Sequence, residues 1–231
     1  MIGIIGAMQE EIDLLLGALE DAVEMQRSGI RYVAGSLHGR KVVVCKSGVG
    51  KVNAAICTQV LIDRFNVNKV IFTGVAGALD PGLEIGDIVV SSSSLQHDID
   101  VTALGFARGV IPYQETSDWA ADEALVKAAR EAGDKLFPGH IRTGKVLSGD
   151  QFIADRDLVA RLRDELNGSC VEMEGASVAQ VCAMNEVPYV VIRSISDKAD
   201  GSADVNFAAF TVTASNRSFA IVDEMLQHLD E

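Results

Sequence analysis

Short, nearly continuous apolar runs recur along the chain, at Ile2–Gly6, Lys41–Lys46, Lys69–Thr73, Asp87–Ser91, Ile141–Leu147, Ser169–Val171 and Pro188–Ile195. Runs rich in β-branched residues, without polar alternation, suit strands covered on both faces. Between them apolar residues recur at helical spacing, over Gln9–Leu19, Val52–Phe65, Asp118–Ala132, Asp155–Leu166 and Glu174–Asn185. A last helix is predicted from Phe207 to Leu229, with Phe207, Phe210, Ala214, Ile221, Met225 and Leu229 on one face. Strands alternating with helices predict an α/β fold with a mixed or largely parallel central sheet. The sheet is not purely parallel, because Ile30–Leu37 and Lys41–Lys46 are joined by the short turn His38-Gly39-Arg40, which reads as a hairpin. With no linker and no internal repeat, residues 1–231 read as one domain.

The segment from Gln96 to Ser117 breaks the alternation, with Gly105, Gly109 and Pro112 scattered through it. Irregular stretches of this length in a compact domain serve as lids or binding loops. Its apolar Leu104, Phe106, Val110, Ile111 and Tyr113 point to a lid or a subunit contact.

Composition narrows the function classes. The chain has 231 residues, 48% apolar and 23% charged, inside the globular range. Its 20 Lys and Arg stand against 33 Asp and Glu, a net charge of −13, without the basic cluster that a nucleic-acid partner requires. The same acidity opposes an anionic membrane, and no apolar run reaches the ~18–20 residues that span a bilayer. The N-terminus lacks a basic, apolar and cleavable signal, and Cys45, Cys57, Cys170 and Cys182 form no Cys-x-x-Cys. Those features predict a cytoplasmic protein with buried thiols.

Several motifs are weaker than they look. Ser47-Gly48-Val49-Gly50-Lys51 precedes a helix, yet it has Cys45 where the phosphate-binding loop needs its first glycine and Val52 where it needs Ser or Thr. What remains is a glycine turn that brings backbone N–H groups to a helix N-terminus at the sheet's carboxyl edge. Thr73-Gly74-Val75-Ala76-Gly77 reads as a second strand-end glycine turn without dinucleotide spacing, and no Gly-x-Ser-x-Gly elbow is present. His97-Asp98-Ile99-Asp100 has no second histidine at ligand spacing, so neither a metal nor a cofactor is expected.

Carboxylates near strand ends carry more information. Glu10-Glu11 opens the first predicted helix directly after Ile2–Gly6, and Glu172-Met173-Glu174 follows the strand ending at Val171. Arg193-Ser194-Ile195-Ser196-Asp197 closes the last predicted strand and places an Arg inside an apolar run, where it needs a carboxylate partner. Three acids and an Arg at the ends of separate strands are harder to dismiss than any one of them alone.

These blocks, with Gly3-Ile4-Ile5-Gly6-Ala7-Met8-Gln9-Glu10-Glu11 and Ser148-Gly149-Asp150-Gln151-Phe152-Ile153, occur in the order seen in the bacterial 5′-methylthioadenosine/S-adenosylhomocysteine nucleosidases, which the chain resembles along its whole length. The resemblance implies a nucleoside phosphorylase-like domain, a mixed central sheet surrounded by helices, in a homodimer. The implied chemistry is hydrolysis of the N9–C1′ bond of 5′-methylthioadenosine, S-adenosylhomocysteine or 5′-deoxyadenosine. By that resemblance Asp197 protonates adenine, for which its pKa must rise well above ~3.9, while Glu11 deprotonates the attacking water. Glu174 holds the ribose hydroxyls, Met173 packs on the ribose, and Arg193 holds the water and Glu174. Phe152 stacks on the base, the Ile153 backbone reads its edge, and Ser196 supports the Asp197 loop. Met8, Val49 and Phe207 line the 5′ pocket, and Leu104 and Pro112 of the neighbouring subunit cap it. Val75 replaces a Ser near sugar and base, and Leu104 replaces an aromatic cap. Three other readings stay open: an aminofutalosine nucleosidase of menaquinone synthesis, a phosphorylase of the same fold, and a silent nucleoside binder.

Overall fold

The apolar runs become strands in the computed structural model, which describes residues 1–199 and 203–229. In chain order these are β1 (Ile2–Gly6), β2 (Glu20–Arg27), β3 (Ile30–Leu37), β4 (Arg40–Lys46), β5 (Lys69–Ala78), β6 (Ile88–Gln96), β7 (Asp118–Ala120), β8 (Ile141–Ser148), β9 (Gly168–Glu172) and β10 (Tyr189–Asp197). The helices are α1 (Asp13–Ala18), α2 (Lys51–Phe65), α3 (Glu123–Leu136), α4 (Arg156–Leu166), α5 (Gly175–Met184) and α6 (Ala203–His228), with one 3-10 turn at Thr102–Leu104.

The strands form one mixed sheet. β4, β1, β5 and β10 run parallel as consecutive neighbours, as do β6, β8 and β9. Antiparallel joins of β10 to β6 and of β5 to β9 close β5, β10, β6, β8 and β9 into a ring, and β1, β4, β3 and β2 extend from it. The carboxyl ends of β1, β5 and β10 therefore share one edge, the usual place for a ligand in such sheets.

Both faces of the sheet are covered, which is why its strands read as unbroken apolar runs. Ile5, Val43, Phe72 and Val191 pack with Leu61 of α2 and Val178 of α5. The alternate residues Ile4, Val44, Ile71 and Ile192 pack with Leu125 of α3 and Ile221 and Met225 of α6. Leu61 is fully buried, and its truncation to Ala would cost about 2–5 kcal/mol.

Four local readings change. β2, not expected from the pattern, is exposed at every position, and it pairs only with β3 as a charged edge strand. Its two-residue turn, Ser28-Gly29, has positive φ at both positions, as does His38-Gly39 between β3 and β4, the geometry favoured in tight hairpins. Asp118–Ala120 is not helical but pairs with β6, and α3 begins only after Asp122, whose Oδ1 accepts the Leu125 N–H at 2.9 Å. α1 begins at Asp13, so Glu11 lies in the preceding turn rather than in the helix. Finally, the Thr73–Gly77 block is no turn: β5 continues through it to Ala78.

Candidate active site

At the shared edge lies a cavity of about 300 Å³, lined by Met8, Glu11, Val49, Val75, Phe152, Ile153, Glu172, Met173, Glu174, Ser196, Asp197 and Phe207 among others. Of the residues expected at the site, the structure brings these together on one wall or another. Arg193 lies behind Glu11, Glu172 and Glu174, 1% exposed. Leu104 and Pro112 do not line this cavity.

Glu11 is set by the turn after β1. Its Oε2 accepts the N–H groups of Ala7 (2.6 Å) and Met8 (2.9 Å), and its Oε1 accepts the Val75 N–H from β5 (3.0 Å). Oε1 also stands 3.8 Å from Arg193 Nη1. Burial pushes the Glu11 carboxyl above its ordinary pKa, and the guanidinium and the three N–H donors offset this only in part. A carboxylate so held can still ionise, and it accepts a proton more readily than an exposed glutamate does.

Glycines make the approach possible. A Cβ on Gly74 would overlap Arg193 Nη1 and Glu11 Oε1, and one on Gly77 would stand 2.8 Å from Asp197 Oδ1. The block that reads as a turn in the sequence is thus a strand stripped of side chains where three functional groups cross it.

Glu174 caps α5, and its Oε1 accepts the Gly50 N–H at 2.8 Å. Gly50 is itself the N-cap of α2, with φ of 98°, so the glycine turn offers its helix-end N–H to a carboxylate of the protein rather than to a phosphate. Burial raises the Glu174 pKa to about 8, the Glu172 charge adds to the rise, and Arg193 and the Gly50 N–H oppose it.

The near partner of Arg193 is Glu172, which sequence reasoning did not assign. Arg193 Nη2 donates to Glu172 Oε2, whereas Glu11 and Glu174 stand at 3.8 and 3.9 Å. Glu172 also accepts the Ser148 hydroxyl and the Gly175 N–H (2.8 Å to Oε2, 2.9 Å to Oε1). The Arg193 guanidinium lies 4.0 Å over the Phe72 ring, which closes its other side with an aromatic face. One guanidinium thus stands beside three carboxylates, Glu174 among them, and Glu172 receives its shortest bond.

β10 bulges between Ile195 and Asp197, which places Asp197 beside Gly77 of β5. Asp197 Oδ1 accepts the Ala199 N–H (2.8 Å), and Ser196 Oγ donates to Asp197 Oδ2 (2.8 Å). Phe152 is half exposed and meets Phe207 edge to face, with ring centroids 5.7 Å apart, while Ile153 is buried beside it.

Among the described residues no group of three or more His, Cys, Asp and Glu is placed to hold a metal ion, and Asp98 instead pairs with Lys51. The four cysteines are buried free thiols, and the sulfurs of Cys45 and Cys57 lie 3.2 Å apart. No helix of the described residues is long and apolar enough to cross a membrane.

A family model described as the phosphorylase superfamily matches residues 1–227, and the chain belongs to that superfamily. It is 41% identical over 231 residues, 100% of this chain and 99% of the relative, to the 5′-methylthioadenosine/S-adenosylhomocysteine nucleosidase of Exiguobacterium sp.. Its fold superposes with a TM-score of 0.95, at 38% identity and 99% coverage of both chains, on the nucleosidase of that description from Neisseria meningitidis in complex with methylthio-immucillin-A. A futalosine hydrolase mutant of Helicobacter pylori superposes equally well, with a TM-score of 0.95, 37% identity and 99% coverage of both. Within the superfamily the chain is a member of the 5′-methylthioadenosine/S-adenosylhomocysteine nucleosidase family.

Proposed function

We propose that the protein hydrolyses the N-glycosidic bond of 5′-modified adenosines, 5′-methylthioadenosine, S-adenosylhomocysteine and 5′-deoxyadenosine, and releases adenine. One observation carries this reading: Glu11, fixed by three backbone N–H bonds in the turn after β1, and Asp197, fixed by Ser196 and Ala199 at the end of β10, line one cavity. Asp197 gives its proton to N7 as the N9–C1′ bond breaks, so adenine leaves neutral. Water adds to C1′ from the other face of the sugar, and Glu11 takes the water's proton, the two-carboxylate logic of inverting glycosidases. Glu174 receives the ribose hydroxyls while charge develops, with Met173 packed against the sugar. Phe152 and Ile153 hold the base, Val75 lies near sugar and base, and Met8, Val49 and Phe207 give the 5′ group an apolar wall.

The products suit methionine salvage and the recycling of by-products of S-adenosylmethionine, in the cytoplasm. The working form is a homodimer in which Leu104 and Pro112 of the neighbour close the 5′ pocket. Leu104 is 71% exposed and Tyr113 94%, an apolar surface on the long segment that calls for cover. A monomer by sedimentation at assay concentration would refute this part of the reading.

Glu11→Gln and Asp197→Asn each should lower kcat by at least ~10²-fold, as loss of a general base or acid does. Unchanged adenine release in either variant would refute the role given to that residue, and a wild type that releases no adenine would leave the silent binder. Likeness to a futalosine hydrolase favours a second reading, aminofutalosine cleavage by the same carboxylates with a different 5′ pocket. Turnover of the three adenosines beside aminofutalosine decides between them.

A further inference from the structure

Ser47-Gly48-Val49-Gly50-Lys51 carries a lysine for which the proposed chemistry has no use. Lys51 is nevertheless tied down at each of its polar groups. Its N–H donates to Asp150 Oδ1 (2.8 Å), and its carbonyl accepts from Ser177 Oγ (3.0 Å). Its Nζ donates to Asp98 Oδ1 (2.6 Å) and Gln96 Oε1 (3.1 Å). Asp98 Oδ2 in turn accepts the Asp150 N–H (3.0 Å), which closes a ring of Lys51, Asp98 and Asp150. Burial alone would raise the Asp98 pKa, and the bonds from Lys51 and Asp150 outweigh it and hold the carboxyl below its ordinary value. Both side chains are mostly shielded, Lys51 16% and Asp98 17% exposed, where a charge-assisted bond is worth more than on an open surface.

The ring stands between the two halves of the substrate site. Gly50, next to Lys51, gives its N–H to the ribose ligand Glu174. Asp150 begins the irregular stretch that carries Phe152 and Ile153, and the start of that stretch is held by Gly149 N–H to Glu172 O (3.1 Å) and by Asp150 N–H to Asp98. Asp98 lies near the start of the long segment that ends at Ser117. We propose that Lys51 and Asp98 are positioning residues, an ion pair that fixes the distance between the base-stacking loop and the ribose ligand. The pair touches neither reacting atom; it sets where the adenine ring lies relative to Glu174, and so acts on nucleoside and free adenine alike. The proposal rests on the nucleosidase reading above.

The test uses Lys51→Met, Asp98→Asn, the double variant and Lys51→Arg in the full chain. Lys51→Met and Asp98→Asn should each raise KM for 5′-methylthioadenosine, and weaken adenine binding in calorimetry, about tenfold, the size of one charge-assisted hydrogen bond. kcat should stay within about threefold, since neither acid nor base is moved relative to the other. The double variant should be no weaker than the singles, and Lys51→Arg should recover most of the affinity. Strictly additive losses, or a fall in kcat with adenine affinity unchanged, would overturn the pairing. A variant with a lowered melting temperature but wild-type adenine affinity would do the same, because it marks a purely structural role. A wild-type chain that releases no adenine from any of these nucleosides refutes the functional reading and this proposal together; an active wild type with unaffected variants refutes this proposal alone.

Discussion

Gly74→Ala tests the site where the least chemistry is added. The backbone at Gly74 has a φ of 159°, which residues with a side chain rarely adopt, so alanine meets backbone strain there as well as a loss of space. The added Cβ would overlap Arg193 Nη1 and Glu11 Oε1 and stand 2.7 Å from Glu11 Cδ. Carbon atoms settle at about 3.5–4.0 Å, so Glu11 must retreat by roughly 1 Å. It has little freedom to do so, because three backbone N–H groups hold it and Arg193 behind it is bound to Glu172. Overpacking of this kind costs about 1–3 kcal/mol, and at roughly 2–4 °C per kcal/mol in a chain this long the melting temperature should fall by about 2–12 °C. The larger effect is on rate, since a displacement near 1 Å at a catalytic group costs on the order of 10²-fold. Adenine affinity should hardly change, because the atoms nearest the added Cβ belong to Arg193 and Glu11 rather than to Asp197 or Phe152. Initial rates of adenine release, melting curves and adenine calorimetry on the same preparation separate these effects. A variant with kcat within threefold of wild type would refute the argument that Gly74 is there to admit Glu11 and Arg193.

Glu172→Gln leaves the buried guanidinium without its nearest charge, and breaking such a pair costs about 3–5 kcal/mol, read by denaturant unfolding. The charge of Arg193 then acts on Glu11 and Glu174 undiminished, so the acid limb of kcat/KM, governed by Glu11, should move to lower pH; an unmoved limb would refute the sharing. Glu174, with a folded pKa of about 8 against an ordinary 4.5, contributes stability that is complete below pH 4.5 and lost as pH rises through about 8. Glu174→Gln removes that titration, so its stability relative to wild type should rise on the order of 2–4 kcal/mol between pH 5 and pH 9, and a constant difference across that range would refute the assignment.

Much of this was legible in the sequence because each strand of the covered sheet repeats one simple demand, apolar residues on both faces. The hairpin at His38-Gly39 was legible too, through its turn chemistry. β2 was not, since Glu20–Arg27 has no apolar face to reveal it. The Ser28-Gly29 dipeptide was the signal that could have found it. For the site, strand-end acids pointed to the right edge, and resemblance supplied the roles proposed for Glu11, Glu174 and Asp197. Glu172 escaped because spacing shows that Glu172 and Glu174 lie two apart, not which of them an arginine twenty residues on will choose. That choice depends on Ser148 and Gly175 completing the shell of Glu172, contacts between β8, β9 and α5 that no local pattern encodes. The Thr73–Gly77 block misled for a related reason: glycine marks either a turn or a close approach, and only the partners tell which.

The same electrostatics explain how a chain of the phosphorylase superfamily can favour water. Phosphorolysis brings a dianion to the sugar face opposite the leaving base, and it needs cationic and N–H donors that are free to receive it. Here the three N–H donors of Ala7, Met8 and Val75 are already spent on Glu11. The guanidinium nearby is shared among Glu11, Glu172 and Glu174, with its closest bond to Glu172. A phosphate entering that space would meet carboxylates in a desolvated pocket, where like charges repel far more strongly than in water. Under the proposed mechanism a water molecule meets instead a glutamate whose pKa burial has raised. The net charge of −13 says nothing of this; the difference lies in three carboxylates around one arginine.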